Sequence, residues 1–351
     1  MEAAPCSIAV LGAGVVGLAA GIRLLRECPN VSVTVFADLT GSETTSQGSG
    51  GLWMPYTLGD TPGDLALRWS SETFSYLLQL FNSSAGAAAG AQLVSGYHLW
   101  QHQEPDPFWK DVAPSFRHLT ARELASFSNP AWIHGWKWTT IIVDMPMYMT
   151  FLLEAFLQAG GKLRRQKVTS LTDFAKFDMV INCGGLRGGL LFGDDKVIPV
   201  RGQVIRVSAP WVKHFYFAGL KSYILPNVDT VVLGGTTQKN SWDTTVSQED
   251  KEVILNNVCK LVPSLKHAKS VRDWVGLRPY REPVRLQLDH HEVELPNGAS
   301  KQLAVVHNYG HGGSGVTLHW GCAADVVGLV QQHMGNSSMA SKTRCLPQAK
   351  L

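Results

Sequence analysis

The residue types best suited to chemistry are concentrated in His307–Ala323, which reads HNYGHGGSGVTLHWGCA. Four of its five glycines stand at positions 310, 312, 313 and 315, immediately before an apolar run with helical spacing. Because glycine lacks a side chain, its backbone can approach a ligand closely. The amino end of a helix also favours negative charge. We therefore predict that this segment lies against a bound ligand.

A second glycine pattern opens the chain. Gly12, Gly14 and Gly17 follow the β-branched run Ile8–Leu11 and precede a helix-like segment. These glycines allow a tight turn, an approach of backbone to pyrophosphate, and close packing of helix on strand. The next strand-like run ends at Asp38, which can accept hydrogen bonds from ribose hydroxyls. The pattern predicts a dinucleotide, with a structural glycine turn as the alternative, and leaves NAD and FAD both open.

Hydroxyl residues follow the second strand. Thr44, Thr45 and Ser46 precede the glycines at 48, 50 and 51, and together they form a polar loop able to reach phosphates or a ring edge. A simple NAD domain would proceed directly to its next strand. The alternative interpretation is a solvated Ser/Gly loop.

Length and composition favour a large globular protein of two packed domains. The 351 residues are 45% hydrophobic and 17% charged, with a net charge of +3, which is too small to indicate nucleic acid or a membrane surface as a partner. The six cysteines are widely spaced and resemble thiols of a reducing compartment. Neither a membrane-spanning run nor metal-ligand spacing is present in the sequence, so we expect no membrane and no metal.

The elements that must position these residues predict an α/β fold. A third buried strand, Phe177–Gly185, returns beneath the dinucleotide, and Val197–Val207 and Tyr223–Gly235 alternate like antiparallel strands. We predict a discontinuous Rossmann-like cofactor domain of residues 1–53, 145–195 and 286–340. A mostly antiparallel β domain for substrate and interface is predicted for 54–144 and 196–285, with a tail at 341–351.

Several motifs together resemble the D-amino-acid oxidase and D-aspartate oxidase family of flavoenzymes. They include LGAGVVGL, GLWMPY (51–56), PDPFWKD (105–111), RGQ (201–203), APWVKHF (209–215), VGLRPYR (275–281) and the run HNYGHGGSG. The resemblance covers the chain from end to end and in order. It implies a non-covalently bound FAD, with an NAD-dependent dehydrogenase or a silent FAD-binding protein as alternatives.

The resemblance also implies a reaction and the residues that carry it. Hydride would pass from the substrate Cα to flavin N5, and dioxygen would reoxidise the flavin to hydrogen peroxide. The imino acid would hydrolyse to a 2-oxo acid and ammonia. Arg278 matches the clamp for the substrate carboxylate, Tyr223 a hydroxyl that meets the same carboxylate, and the Gly313 carbonyl an acceptor for the amine. His307, His311 and His319 are interpreted as structural, because hydride loss needs no histidine base.

Further site residues are predicted from the same matches. Tyr56 is expected at the substrate, with Met54, Phe217, Leu225 and Thr237 in the pocket. Residues expected to bind the cofactor are Gly12, Ala13, Gly14, Val15, Val16, Gly17, Asp38, Thr44, Thr45, Ser46, Gly51, Leu52, Val168, Gly184, Gly312, Gly313, Gly315, Val316 and Thr317.

Departures from the family bear on the substrate. D-aspartate oxidases carry arginine where this chain has Thr237, and tend to have histidine and serine in place of Tyr56 and Gly313. A buried carboxylate without a partner is costly, so we expect neutral D-amino acids, with tolerance for bulky or basic side chains. The alternative is an acidic substrate held by another cation, for which Lys239 is a candidate. The segment 216–222 is a short lid, which predicts a more open pocket and faster product release.

The last three residues, Ala349, Lys350 and Leu351, resemble the peroxisomal targeting tripeptide. They predict a peroxisomal matrix enzyme that is recognised by the import receptor. A homodimer is a further expectation, and the small-molecule partners are a D-amino acid and dioxygen.

Overall fold

The computed structural model describes residues 4–127, 129–295 and 298–343. The targeting tripeptide therefore lies outside the described residues and stays a prediction. The α-helices are α1 (Val15–Glu27), α2 (Thr45–Gly48), α3 (Gly63–Phe81), α4 (Ala121–Leu124), α5 (Met145–Gln158), α6 (Gly185–Leu191), α7 (Gln248–Cys259) and α8 (Gly315–Thr343). Short 3₁₀ turns occupy Gly41–Glu43, Leu171–Phe174 and Pro263–His267.

The strands form a single mixed sheet. They are β1 (Cys6–Leu11), β2 (Val31–Ala37), β3 (Ala91–Trp100), β4 (Arg117–His118), β5 (His134–Val143), β6 (Lys162–Arg165), β7 (Met179–Asn182), β8 (Ile198–Ser208), β9 (Phe215–Ala218), β10 (Ser222–Pro226), β11 (Val231–Gly234), β12 (Gln238–Lys239), β13 (Lys269–Glu294) and β14 (Ser300–His311). Their order is β4-β5-β3-β9-β10-β11-β8-β13-β14-β7-β1-β2-β6, and β12 pairs with β8.

One end of the sheet is parallel. In the run β14-β7-β1-β2-β6 every pair of neighbours is parallel. Ile8, Ala9 and Val10 of β1 are completely buried, because a parallel strand is covered by helices on both faces. Helix α1 packs close to β1 because Gly17 has no side chain: a Cβ there would lie 2.0 Å from the Gly12 carbonyl oxygen.

The other end is mostly antiparallel, and β13 joins the two. Residues 269–280 of β13 pair with β8, and residues 285–294 pair with β14. The register shifts between Tyr280 and Arg285, so a single strand belongs to both halves of the sheet and changes partner near Arg278.

The predicted α/β architecture is confirmed, and its two parts share one continuous sheet. β13 crosses the predicted boundary at residue 285. Helix α3, which the prediction gave to the substrate domain, packs on α8 of the cofactor half. Every helix in the described ranges falls short of the combined length and apolarity that a membrane crossing needs.

A buried ion cluster holds β13 against β14 beside the register shift. The carboxylate of Asp194 accepts hydrogen bonds from Tyr309 Oη at 2.6 Å and from Arg281 Nε at 2.7 Å, and Arg285 lies 3.2 Å away. Burial by itself would raise the pKa of Asp194, but the hydrogen bonds from Tyr309 and Arg281 outweigh it and lower the pKa to about 2.

We expect Asp194→Asn to lower the free energy of unfolding at neutral pH by about 3 kcal/mol, because the partly buried Arg281 loses its carboxylate partner, whereas Arg285 keeps Asp289. The folded-state pKa is below the unfolded value, so the charge stabilises the fold above pH ~4 and this contribution is lost as pH falls towards 2. Thermal melting of both proteins between pH 8 and pH 3 checks this. The difference in melting temperature between the two proteins should be constant down to pH ~5 and become smaller below it. A difference that grows in acid would contradict the assigned role of Asp194.

Candidate active site

A cavity of about 650 Å³ lies at the carboxyl ends of the parallel strands. Most of the residues predicted to bind the cofactor line this cavity: Gly12, Ala13, Gly14, Val15, Val16, Asp38, Thr44, Thr45, Ser46, Val168, Gly184, Gly312, Gly313, Gly315 and Val316. The cavity therefore brings together the loop after β1, the polar loop after β2 and the glycine run before α8.

The glycine loop has the geometry that the sequence predicted. Gly12 has a φ of 102°, and a Cβ on it would lie 2.6 Å from the Cys183 carbonyl oxygen, so a larger residue would be strained there. Ser46 Oγ accepts a hydrogen bond from the Val15 amide at 3.0 Å. This contact fixes the second polar loop against the start of α1.

Asp38 lies at the mouth of the same cavity and forms an ion pair with Arg187 of α6. Sequence reasoning missed Arg187, since nothing in its local pattern connects it with a residue about 150 positions earlier. The arginine places a cation beside the predicted ribose-binding carboxylate.

The floor of the cavity carries buried polar groups without partners. Asn308 and His311 line it, and the amide atoms of Asn308 and Nε2 of His311 form no hydrogen bond within the described part of the chain. Buried polar atoms are normally paired. These atoms, together with glycines whose backbone is open to the cavity, fit a wall that a polar, flat cofactor completes.

A second cavity of about 120 Å³ adjoins the first. Thr45, Ser49, Arg278, Gly313 and Val316 belong to the walls of both. The predicted substrate residues Tyr56, Tyr223, Met54, Phe217, Leu225 and Thr237 line this smaller space, together with Gly51 and Leu52. A molecule there would lie directly beside the cofactor cavity.

Arg278 is held at the junction by backbone. Its Nη1 donates to the Thr236 carbonyl oxygen at 3.1 Å, and its guanidinium lies over Gly202, where a Cβ would be 2.2 Å from Nη1. Gly202 is the centre of the RGQ motif. Arg201 and Gln203, on the opposite face of β8, bond to each other and to the loop before α7. The motif therefore both supports the guanidinium and anchors the strand beneath it.

Two tyrosines stand beside Arg278. Burial raises the pKa of Tyr223, although Arg278 lowers it in part, so the phenol is protonated and able to donate a hydrogen bond at neutral pH. Glycines at 234 and 235 give the Tyr223 hydroxyl its space, and Gly313 does the same for Tyr56. A protonated phenol and a guanidinium facing one cavity make a binding site for a carboxylate.

Four predicted cofactor residues do not line the cofactor cavity: Gly51 and Leu52 line the smaller one, and Gly17 and Thr317 line neither. Gly17 packs against Gly12 rather than lining the cavity. The Thr317 hydroxyl accepts a hydrogen bond from the Met54 amide at 3.3 Å and donates one to the Met54 carbonyl at 3.2 Å. Both residues position the walls. The sequence analysis also missed two residues, His98 and Lys221, that line the substrate cavity. Nothing in the sequence around either residue indicates this position.

The histidines of the C-terminal motif stay neutral. Burial lowers the pKa of His307 to about 3, and those of His311 and His319 to about 4. His319 lies 2.7 Å from the Tyr148 hydroxyl and 2.7 Å from the Val316 carbonyl. His307 is paired through Nδ1 with the amide nitrogen of Asn182.

His307 also approaches Asp289 and His291 closely enough to suggest a metal centre. The Asn182 amide argues against one. The side-chain oxygen of Asn182 accepts a hydrogen bond from the Gly184 amide, and its side-chain nitrogen donates to the Gly188 carbonyl. These two bonds fix which end of the amide is the nitrogen. The atom that faces His307 Nδ1 is therefore a donor, and Nδ1 is the acceptor. A neutral His307 then carries its proton on Nε2, the atom that faces Asp289, and offers no lone pair to a metal there.

Comparison with known proteins agrees with this geometry. Residues 7–329 match the family described as FAD dependent oxidoreductase. The D-aspartate oxidase of Homo sapiens is 41% identical over 329 residues, covering 93% of this chain and 94% of the human protein. The chain belongs to the D-amino-acid oxidase and D-aspartate oxidase family. A D-amino-acid oxidase of Rubrobacter xylanophilus is 36% identical, with 91% and 94% of the two chains covered.

The glycine oxidase structure from Geobacillus kaustophilus shares the fold, with a TM-score of 0.75 at 21% identity and coverage of 93% and 94%. FAD is thus the cofactor of this oxidase, which sets aside the alternative of an NAD-dependent dehydrogenase. The walls of the 650 Å³ cavity are the residues that would hold it.

We expect Gly315→Val to weaken FAD binding at least about tenfold, since the new side chain would extend into the cavity, where nothing lies within 4 Å of a Cβ at this position. Gly328→Val is the matched control, because Gly328 lies on the exposed side of the same helix and is equally free of neighbours. Visible flavin absorbance per purified protein measures retention. Equal FAD loss in both variants would mean that helix propensity, not cavity space, is responsible.

Proposed function

We propose that the oxidase catalyses the oxidative deamination of D-amino acids with neutral side chains. A D-amino acid, water and dioxygen would give a 2-oxo acid, ammonia and hydrogen peroxide. The observation that carries the proposal is the position of Arg278, which faces a small cavity at its junction with the cofactor cavity.

The chain's own groups supply binding and orientation. Arg278 presents a planar fork that suits a carboxylate, and the protonated Tyr223 adds a third donor beside it. The Gly313 carbonyl, on the wall shared by both cavities, is the acceptor proposed for the substrate amine. When bound, FAD accepts the hydride that leaves the substrate Cα. Holding the Cα toward the cofactor cavity is therefore the main task of the protein.

The remaining wall supports a neutral side chain. Leu52, Met54, Phe217 and Leu225 make it largely apolar, and Thr237 offers only a hydroxyl. Among the described residues of this wall there is no aspartate or glutamate, so nothing there favours basic side chains. His98 adds no charge, because burial lowers its pKa to about 4.

An acidic substrate is the second candidate, supported by the identity to a D-aspartate oxidase. Lys239, the cation that the sequence suggested for a second carboxylate, does not line the substrate cavity. Its ammonium lies over the ring of Tyr280, 5.2 Å from the ring centre, and the residue lines neither cavity. An acidic side chain would need a different cation.

The proposed function is tested by mixing the yellow holoenzyme anaerobically with D-alanine, D-arginine, D-aspartate or L-alanine and following loss of the flavin absorbance. D-alanine should bleach the flavin fastest and L-alanine should leave it unchanged. Fastest bleaching by D-aspartate would overturn the neutral preference while leaving D-amino acid oxidation intact. Bleaching by none of the D-amino acids would overturn the function itself.

Replacing Arg278 with alanine should lower kcat/KM for D-alanine by about 30-fold or more, since a lost buried charge pair costs about 2 kcal/mol at least. Arg278→Lys keeps the charge but loses the planar fork, so its kcat/KM should lie between those of the wild type and Arg278→Ala. Steady-state peroxide production measures both, and flavin absorbance must show that FAD stays bound. Loss of FAD from the alanine variant would instead give Arg278 a role in the cofactor site.

A further inference from the structure

The turn that borders the substrate cavity is held by hydrogen bonds rather than by packing. Gly219, Leu220 and Lys221, here called the lid turn, connect β9 to β10 and line the cavity wall. Gly219 is half-buried, Lys221 is exposed, and the Leu220 side chain is 67% exposed. A segment that buries little apolar surface opens more easily than the sheet beneath it. The groups that bond to the lid turn therefore determine how firmly it stays in place.

Two consecutive residues of β3 hold the amide and the carbonyl of Gly219. The Gly219 amide donates to the Leu99 carbonyl at 2.9 Å, directly after the last pair of β3 with β9, Leu99 opposite Ala218. The Gly219 carbonyl lies 2.8 Å from His98 Nε2. Because a carbonyl oxygen can only accept, Nε2 carries the proton and donates it. The side chain of His98 thus binds the lid turn one residue beyond the paired part of the strand.

The strand register places the His98 side chain on the cavity face of the sheet. His98 of β3 stands opposite Phe217 of β9, and Phe217 stands opposite Tyr223 of β10. Opposed residues of neighbouring strands point to the same face, and all three residues line the cavity. Leu99, the next residue of β3, belongs to a separate core on the other face. The imidazole is therefore part of the cavity wall as well as a donor to the lid turn.

The imidazole is held rigidly, with one nitrogen left unpaired. Its ring stacks on the Trp100 ring with 4.3 Å between the ring centres, and the Phe217 ring centre is 5.2 Å away. The His98 side chain is 3% exposed, and its Nδ1 forms no hydrogen bond with any residue that the structure describes. A buried unpaired nitrogen is unfavourable, and a hydrocarbon side chain would fill this aromatic surrounding without one. The bond to the Gly219 carbonyl is what a hydrocarbon side chain could not supply.

We propose that His98 is a positioning residue of this oxidase, which holds the lid turn over the substrate cavity through its bond to the Gly219 carbonyl. The inference rests on the proposed function, in which Arg278 and Tyr223 bind the substrate carboxylate in the same cavity. Phe217 and Tyr223 flank the lid turn on either side, so a displaced turn would displace both. With the turn in place, water is excluded and the substrate is held for hydride transfer.

The experiment compares the holoenzyme with four variants. His98→Leu and His98→Phe both remove the donor, and the second keeps an aromatic ring beside Trp100. His98→Gln keeps a nitrogen donor at the same number of bonds from the backbone. His134→Leu is the matched control, because His134 is a buried histidine of the neighbouring strand β5 with an unpaired Nε2, and it lines neither cavity. Thermal melting and flavin absorbance establish that each variant is folded and holds FAD.

Limited digestion with trypsin measures opening of the lid turn, because cleavage after Lys221 requires the turn to unfold locally. Mass spectrometry identifies the cut between Lys221 and Ser222. In His98→Leu and His98→Phe this cut should form about fivefold faster than in the wild type, as expected for the loss of one buried hydrogen bond. In His98→Gln and His134→Leu the rate should stay within about twofold of the wild type.

Steady-state peroxide production and calorimetry measure the consequence for the site. The two hydrocarbon variants should raise the KM for D-alanine and the dissociation constant of butyrate, a simple carboxylate, about fivefold. Their kcat should fall by less than about twofold, because the groups that contact the substrate remain. His98→Gln and His134→Leu should have wild-type values of both constants.

Unchanged cleavage after Lys221 in both hydrocarbon variants would overturn the inference, and so would equally fast cleavage in His134→Leu, which would show a general loosening of the sheet. Failure of His98→Gln to restore the wild-type rate would overturn it by showing that ring shape matters instead of the N–H donor. Faster cleavage with an unchanged KM would overturn the positioning role. If no D-amino acid bleaches the wild-type flavin, the proposed function fails, while the digestion still decides whether His98 holds the lid turn.

Discussion

The long strand β13 is the constraint on which the active site depends. Its first part pairs with β8 of the antiparallel half, and its second part pairs, also antiparallel, with β14, the first strand of the parallel run. Arg278 lies just before the change of partner, and the neighbouring strand β14 continues into the glycine floor of the cofactor cavity. Because one continuous backbone carries the clamp to the cofactor floor, the distance between them cannot vary as it could across a flexible hinge. The Asp194 cluster fixes the same point from the side.

Glycines determine where the functional side chains of the site can lie, because they leave space beside the backbone. The Arg278 guanidinium lies over Gly202, the Tyr223 hydroxyl lies against the glycines at 234 and 235, and the Tyr56 hydroxyl lies against Gly313. Each tip rests on main chain, which is less mobile than a neighbouring side chain. The groups proposed to bind the substrate carboxylate are therefore held by the sheet itself, and orientation is what the proposed hydride transfer most requires.

The sequence predicted those parts of the site that depend on local pattern. The turn of Gly12 and Gly14, the end of β2 at Asp38 and the helix beginning at Gly315 are each set by neighbours in the chain. What it could not predict arises from strand order. His98 reaches the lid because β3 pairs with the distant β9, with His98 opposite Phe217, and Arg187 reaches Asp38 across the sheet. The packing of helix α3 on α8 leaves no trace in the sequence of α3 itself.

The charges around the substrate cavity determine how sharply it can select. Arg278 is always charged and partly enclosed, so its attraction for a carboxylate is strong and common to every amino acid. Lys221 is exposed, and water and salt weaken its field. His98, which is buried, is neutral at physiological pH and contributes no charge. Under the proposed function, the charges of this wall therefore hold the α-carboxylate firmly and separate one side chain from another only weakly.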